Sequence, residues 1–182
     1  MNVLPVVYQQ FYSPSKAYPK QLISTEPSKL IDAFCKNFKL PNEEVNHALF
    51  DEDLAQKIAM QKENAIKPIL KMFNEKKDEE SITAGLFLLN RIIDEGVKNV
   101  GDTYPVISRF NYHPSHNVQV MLAGIYRKTL VPDGFGPLVT MFLKNSHTPI
   151  QIPFDPNEEI GGAILEYLRN TSAQYAYKPK TS

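Results

Sequence analysis

The sequence predicts an all-α protein, a short right-handed α-solenoid of stacked helical hairpins with an extended N-terminal arm. Three observations predict it. The octets "IKPILKMF" (66–73), "TYPVISRF" (103–110) and "FGPLVTMF" (135–142) each carry a proline third and a phenylalanine last. Their prolines stand 37 and then 32 residues apart, as 105 minus 68 and 137 minus 105, and the phenylalanines follow the same intervals. The stretch "SITAGLFLLNRIIDEG" is apolar on more than one helical side, so it needs a neighbour on more than one side. A chain of 182 residues, 42% hydrophobic and 22% charged, is long enough for one domain with a core of its own.

Residues 1–27 hold Pro5, Pro14, Pro19 and Pro27 among Tyr8, Phe11, Tyr12 and Tyr18, with no helical period, and read as an extended arm. The bulky side chains of "VVYQQFY" favour docking of that arm on a protein surface, in the same molecule or another. A single helical-repeat domain is expected over 28–170. Ser28 fits an N-cap, Leu30, Ile31, Phe34 and Phe38 recur at helical spacing, and Pro41 ends that helix. Asp51 to Asp53 suit the first turn of the next helix, where carboxylates offset the positive end of the dipole, and Leu54, Ile58 and Ala59 form its apolar stripe.

Repeats are placed at about 50–76, 79–111 and 115–145. Each pairs a first helix with a second helix started by the octet proline, because the first turn has unpaired N–H groups and loses nothing to proline there. Gly96 is a natural stop for the helix at 81–95, and Pro132-Asp133-Gly134 a turn after "NVQVMLAGIYRKTL". "HTPIQIPFDP" should be extended. A last helix is expected at 156–170, capped by Asn157 or Asp155, with Ile160, Ile164, Leu165 and Leu168 as its buried stripe, before a tail at 171–182.

The bulk numbers weigh against several functions, nucleic-acid binding among them. Lys plus Arg equals Asp plus Glu at 20 each, which removes the broad attraction a nucleic-acid binder shows. The one cysteine, Cys35, permits neither an intrachain disulfide nor a cysteine metal cluster, and its apolar setting predicts an inert thiol. The opening "MNVLPVVYQQ" lacks the basic start of a signal peptide, and no apolar run approaches the roughly 18 residues of a membrane span. The expected location is cytoplasmic, without a membrane partner and without a cofactor.

The three octets as second helices, with "ESITAGLFLLNRIIDEG" and "HNVQVMLAGIYRKTL" as first helices, resemble the HEAT and armadillo-like superfamily of α-helical repeats over roughly 42–145. The periods are shorter than the usual HEAT length of about 40 to 47 residues, and regular Asp and Arg positions between helices are not evident. The resemblance implies a non-enzymatic scaffold or adaptor that binds another protein or a peptide along its second helices. In register, Lys71, Ser108 and Thr140 form one rung and Asn74, Asn111 and Leu143 another, with Arg109 and Lys144 beside them.

The rival expectation is an enzyme or lyase on the same frame, with its site at the loop Tyr112, His113 and His116. His113 and His116 have an H-x-x-H spacing, but two ligands are too few for a closed zinc site. HEAT-like enzymes that bind iron use His-Glu pairs, whereas the four histidines here precede Ala, Pro, Asn and Thr. HEAT-like enzymes that excise alkylated bases present basic, tryptophan-bearing faces, and this chain has no tryptophan.

Overall fold

The computed structural model describes residues 26–41, 47–147 and 155–175, the last segment with side chains to Thr171. The arm before Glu26, the expected extended stretch at 148–154 and the tail from 176 lie outside the described residues. Within them the protein is all-helical. The helices are α1 (Pro27–Asn37), α2 (Glu52–Ala59), α3 (Glu63–Glu75), α4 (Glu79–Asp94), α5 (Tyr104–Ile107), α6 (His116–Thr129), α7 (Phe135–Asn145) and α8 (Pro156–Tyr175). A single antiparallel bridge between Lys39 and Leu49 closes the chain between α1 and α2.

Side-chain caps set several starts. The Asp51 carboxylate accepts the Leu54 N–H at 3.0 Å, Asp78 accepts that of Ser81 at 2.8 Å, and the Ser115 hydroxyl accepts that of Val118 at 3.4 Å. Asp78 therefore opens α4 two residues before the expected start. At α1 the N-cap is Glu26 rather than Ser28, because Pro27 occupies the first helical position at no cost in hydrogen bonding. Gly96, at φ +87°, takes the left-handed turn after α4 that an L side chain resists.

The octet prolines do not share one place. Pro105 and Pro137 lie in the first turns of α5 and α7, but Pro68 is inside α3, whose start at Glu63 follows a tight turn through Lys62 at φ +53°. The helix forgoes the bond Pro68 would give to the Asn64 carbonyl and continues. The second octet is also less regular than expected: α5 is one helical turn flanked by 3₁₀ turns at Asn99–Thr103 and Ser108–Phe110. α8 runs on to Tyr175, five residues into the expected tail.

The helices pack mainly in a neighbour-to-neighbour order. α2, α4, α6 and α8 touch in succession as one row, α1 and α3 also pack against α4, and α7 packs against α8. Every residue of α4 from Ser81 to Asn90 is buried. Phe34, Phe38 and Phe50 meet Phe87 of α4 with ring centroids 6.0, 6.2 and 4.8 Å apart. Each such buried side chain contributes about 1.5–3 kcal/mol by leaving water. At Gly85 α3 comes so close that a Cβ would sit 2.5 Å from both Met72 and Phe73.

One ion pair bridges each step of the row. Arg91 of α4 reaches Glu52 of α2, Lys128 of α6 reaches Asp94 of α4 at 2.8 Å, and Arg127 of α6 lies 3.1 Å from Glu159 of α8. The last contact brings charges together without the angle of a hydrogen bond, since Glu159 Oε1 has no aligned donor. Burial pushes the Glu159 carboxyl up against the downward pull of Arg127 and Lys128, and pushes the Lys128 amine down against the upward pull of Asp94.

The stripe expected on α8 is only partly the buried one. Ile160, Ala163 and Tyr167 face the core and Ile164 is half-buried, while Leu165 and Leu168 are 54% and 48% exposed.

Candidate partner-binding surface

The residues expected to form the binding strip come from α3, the 3₁₀ turn at 108–110 and α7, and these three segments meet in sequence order. Phe73 of α3 packs edge-on against Phe110, centroids 5.3 Å apart. Arg109 lies over the Phe110 ring and reaches back to the end of α3, where its guanidinium donates to the Phe73 carbonyl and, at 2.8 Å, to Asn74 Oδ1. A cation on the last carbonyls satisfies acceptors that the helix leaves open. Arg109 and Asn74 are thus held together, and Arg109 works as a clasp between segments.

The remaining strip residues divide by surroundings. Lys71 is exposed and pairs with Glu75 one turn on, at 3.7 Å. The Ser108 hydroxyl donates to the Pro105 carbonyl at 3.4 Å and that of Thr140 to the Gly136 carbonyl at 3.1 Å. Asn111 is a correction: it is 5% exposed, and its Oδ1 accepts the buried Tyr126 hydroxyl, so it supports the surface from beneath. Leu143, its partner rung on α7, is 57% exposed.

Between the second and third segments a crevice of about 30 Å³, room for about one water, is lined by Asn111, Tyr112, Gln119, Thr140, Met141 and Lys144. One of its lining residues, Gln119, belongs to a chain of buried amides. Asn145 donates to Gln119 Oε1 at 2.7 Å, and Gln119 donates to the His113 carbonyl at 3.0 Å. Tyr112, on the same crevice, is 71% exposed, the largest exposure among the bulky apolar and aromatic side chains described.

The loop that carried the rival expectation is built as a cap. The Ser115 hydroxyl donates to Glu79 Oε1 at 2.5 Å, and Asn117 donates to the same oxygen at 3.2 Å. His113 accepts the Ser115 backbone N–H at Nδ1, 3.2 Å away, so the imidazole does not stand between the hydroxyl and the carboxylate as an activating base would. Burial pushes the His113 imidazole down from its ordinary value against a smaller upward pull from Glu79. His116 is the first residue of α6. Among the described residues no three His, Cys, Asp or Glu side chains converge on a point that could hold a metal ion.

A larger cleft of about 500 Å³ lies elsewhere, where the α6–α7 turn meets the end of α8, walled by Leu130, Pro132, Phe135, Tyr167 and Leu168 with Asn170 and Thr171 at its edge. Tyr167 closes one wall by donating its hydroxyl to the Val131 carbonyl at 2.6 Å. No helix among the described residues is long and apolar enough to cross a membrane. The Cys35 thiol is pushed up to about 12 by burial, helped by Asp32 and Asp78, which keeps it protonated and a poor nucleophile.

Comparison of the chain with protein-family models, with curated proteins and with solved structures finds no match.

The exposed Tyr112 is the feature that the register of the octets does not supply, because it falls two residues beyond the second phenylalanine. Its nearest signal is the following "HPSH", which forces a loop between a helical turn and the next N-cap. The Arg109 clasp has no local signal at all: its partners lie 35 and 36 residues away.

Proposed function

We propose that the chain is a non-enzymatic scaffold or adaptor of the HEAT or armadillo-like kind, a short right-handed solenoid of helical hairpins that binds another protein or a peptide. The neighbour-to-neighbour order of the helices and the ion pair at each step of the row support the repeat reading. The observation that carries the binding reading is Tyr112, 71% exposed at the lip of a crevice shared with Thr140 and Lys144. An exposed tyrosine at the edge of a crevice is among the residue types enriched at interface anchors. The surface it anchors runs over Lys71 and Asn74, past Ser108 and the Arg109 clasp, to Thr140 and Lys144.

The test compares the immobilised wild-type chain with a Tyr112→Ala, Lys144→Glu variant in native extract, with retained proteins identified by mass spectrometry. Both positions are exposed, so the variant is expected to keep the wild-type melting temperature and to lose at least one specifically retained protein. Identical retained sets reject this surface as the binding face.

A further inference from the structure

The outer side of α8 carries an ordered pattern of exposed charged and apolar side chains. Glu158, Leu165 and Arg169 lie about two and three turns apart on one exposed line of the helix, with Leu168 beside them. Leu165 and Leu168 are 54% and 48% exposed, although α8 buries its opposite face against α6 and α7. Gly162 lies next to this line, and a Cβ added there would touch Arg127 Nη1 at 3.5 Å, so the glycine leaves a shallow depression bordered on one side by that guanidinium. Among the described residues Glu158 has no ion-pair partner, and Arg169 has only a loose one in Glu166 at 3.7 Å.

The order of these residues is self-complementary. The midpoint between Glu158 and Arg169 coincides with the midpoint between Gly162 and Leu165. When a second copy of α8 runs antiparallel about a twofold axis through that midpoint, Glu158 faces the partner's Arg169, and Leu165 enters the depression at the partner's Gly162. The twofold axis repeats both contacts. The two charge pairs then flank an apolar centre, and the glycine permits an interaxial distance at the short end of the usual 8–10 Å. A parallel pairing would set Glu158 against Glu158 and Arg169 against Arg169.

We infer that the chain forms a symmetric dimer through antiparallel packing of α8 on the α8 of a second copy, with Leu165 at the centre and Glu158–Arg169 pairs at its edges. This surface lies on α8, apart from the proposed partner-binding strip, and stands or falls separately from it.

Sedimentation equilibrium of the full chain from roughly 1 to 100 µM tests the pairing by mass action. The wild type is expected to show a monomer–dimer equilibrium in that range. Leu165→Glu is expected to leave monomer only, with an unchanged circular dichroism spectrum, since the side chain is mostly in solvent. Glu158→Arg and Arg169→Glu alone should each weaken the dimer by about tenfold or more, and the double charge swap should restore most of that loss. Four results overturn the inference: monomer throughout, a dimer that survives Leu165→Glu, a double swap no tighter than the single ones, or a dimer that appears only once residues 1–25 are removed. The last would mean that the arm covers this face in the intact chain.

Discussion

α4 and α8 are both apolar beyond the width of a single stripe, and they meet opposite fates. α4 has α1, α2 and α3 on one side and α6 on the other, and it buries ten consecutive residues from Ser81 to Asn90. α8 packs on α6 and α7, and among the described residues no further helix covers Leu165 and Leu168. Apolar side chains off the main packed stripe thus occur in both helices. What separates them is the presence of a next neighbour, which is a property of the assembly rather than of the segment.

Truncation is the strongest way to break this contrast. Leu89→Ala on α4 removes a fully buried side chain and should cost about 2–5 kcal/mol in denaturant unfolding. A cost below about 1 kcal/mol would mean that α4 is not enclosed as described. Gly85→Ala comes next: its new Cβ would sit 2.5 Å from Met72 and Phe73, so α3 must shift, at about 1–3 kcal/mol. An unchanged midpoint would show that the α3–α4 contact is loose. Leu165→Ser on α8 sharpens the other half, with an expected change within about 0.5 kcal/mol at concentrations low enough to keep the chain monomeric. A loss comparable to that of Leu89→Ala would place Leu165 in a core.

Much of the helical content was legible because it follows from local chemistry. Asp51 before Leu54 and Gly96 after Asp94 are short-range signals, and the structure places a cap and a left-handed turn at those positions. Pro68 misled because proline prefers a first turn without requiring it. Asn111 misled because the register of the octets assumes about 100° of rotation per residue, whereas the 3₁₀ turn at 108–110 advances by about 120° and rolls the following residue inward. Leu165 and Leu168 were read as buried because periodicity reports that a face is apolar and is silent on what lies opposite. At the candidate site, Lys71 and Thr140 of one rung, and Lys144 beside it, are exposed. The Arg109 clasp and the buried amide chain through Gln119 rest on contacts between separate segments, and no local pattern encodes them.

The hydroxyls of Tyr126 and Tyr167 also give the molecule a reporter of its own integrity. The chain contains no tryptophan, so its near-ultraviolet signal comes chiefly from tyrosine. Burial raises both phenols well above their ordinary value near 10. Between that value and the raised one the unfolded chain gives up these protons while the folded chain keeps them, so alkali favours unfolding across that window. Of the nine tyrosines, these two are therefore expected to add their share of phenolate absorbance only as the α6–α8 end of the row opens, and alkaline titration can follow that late share without attaching any dye.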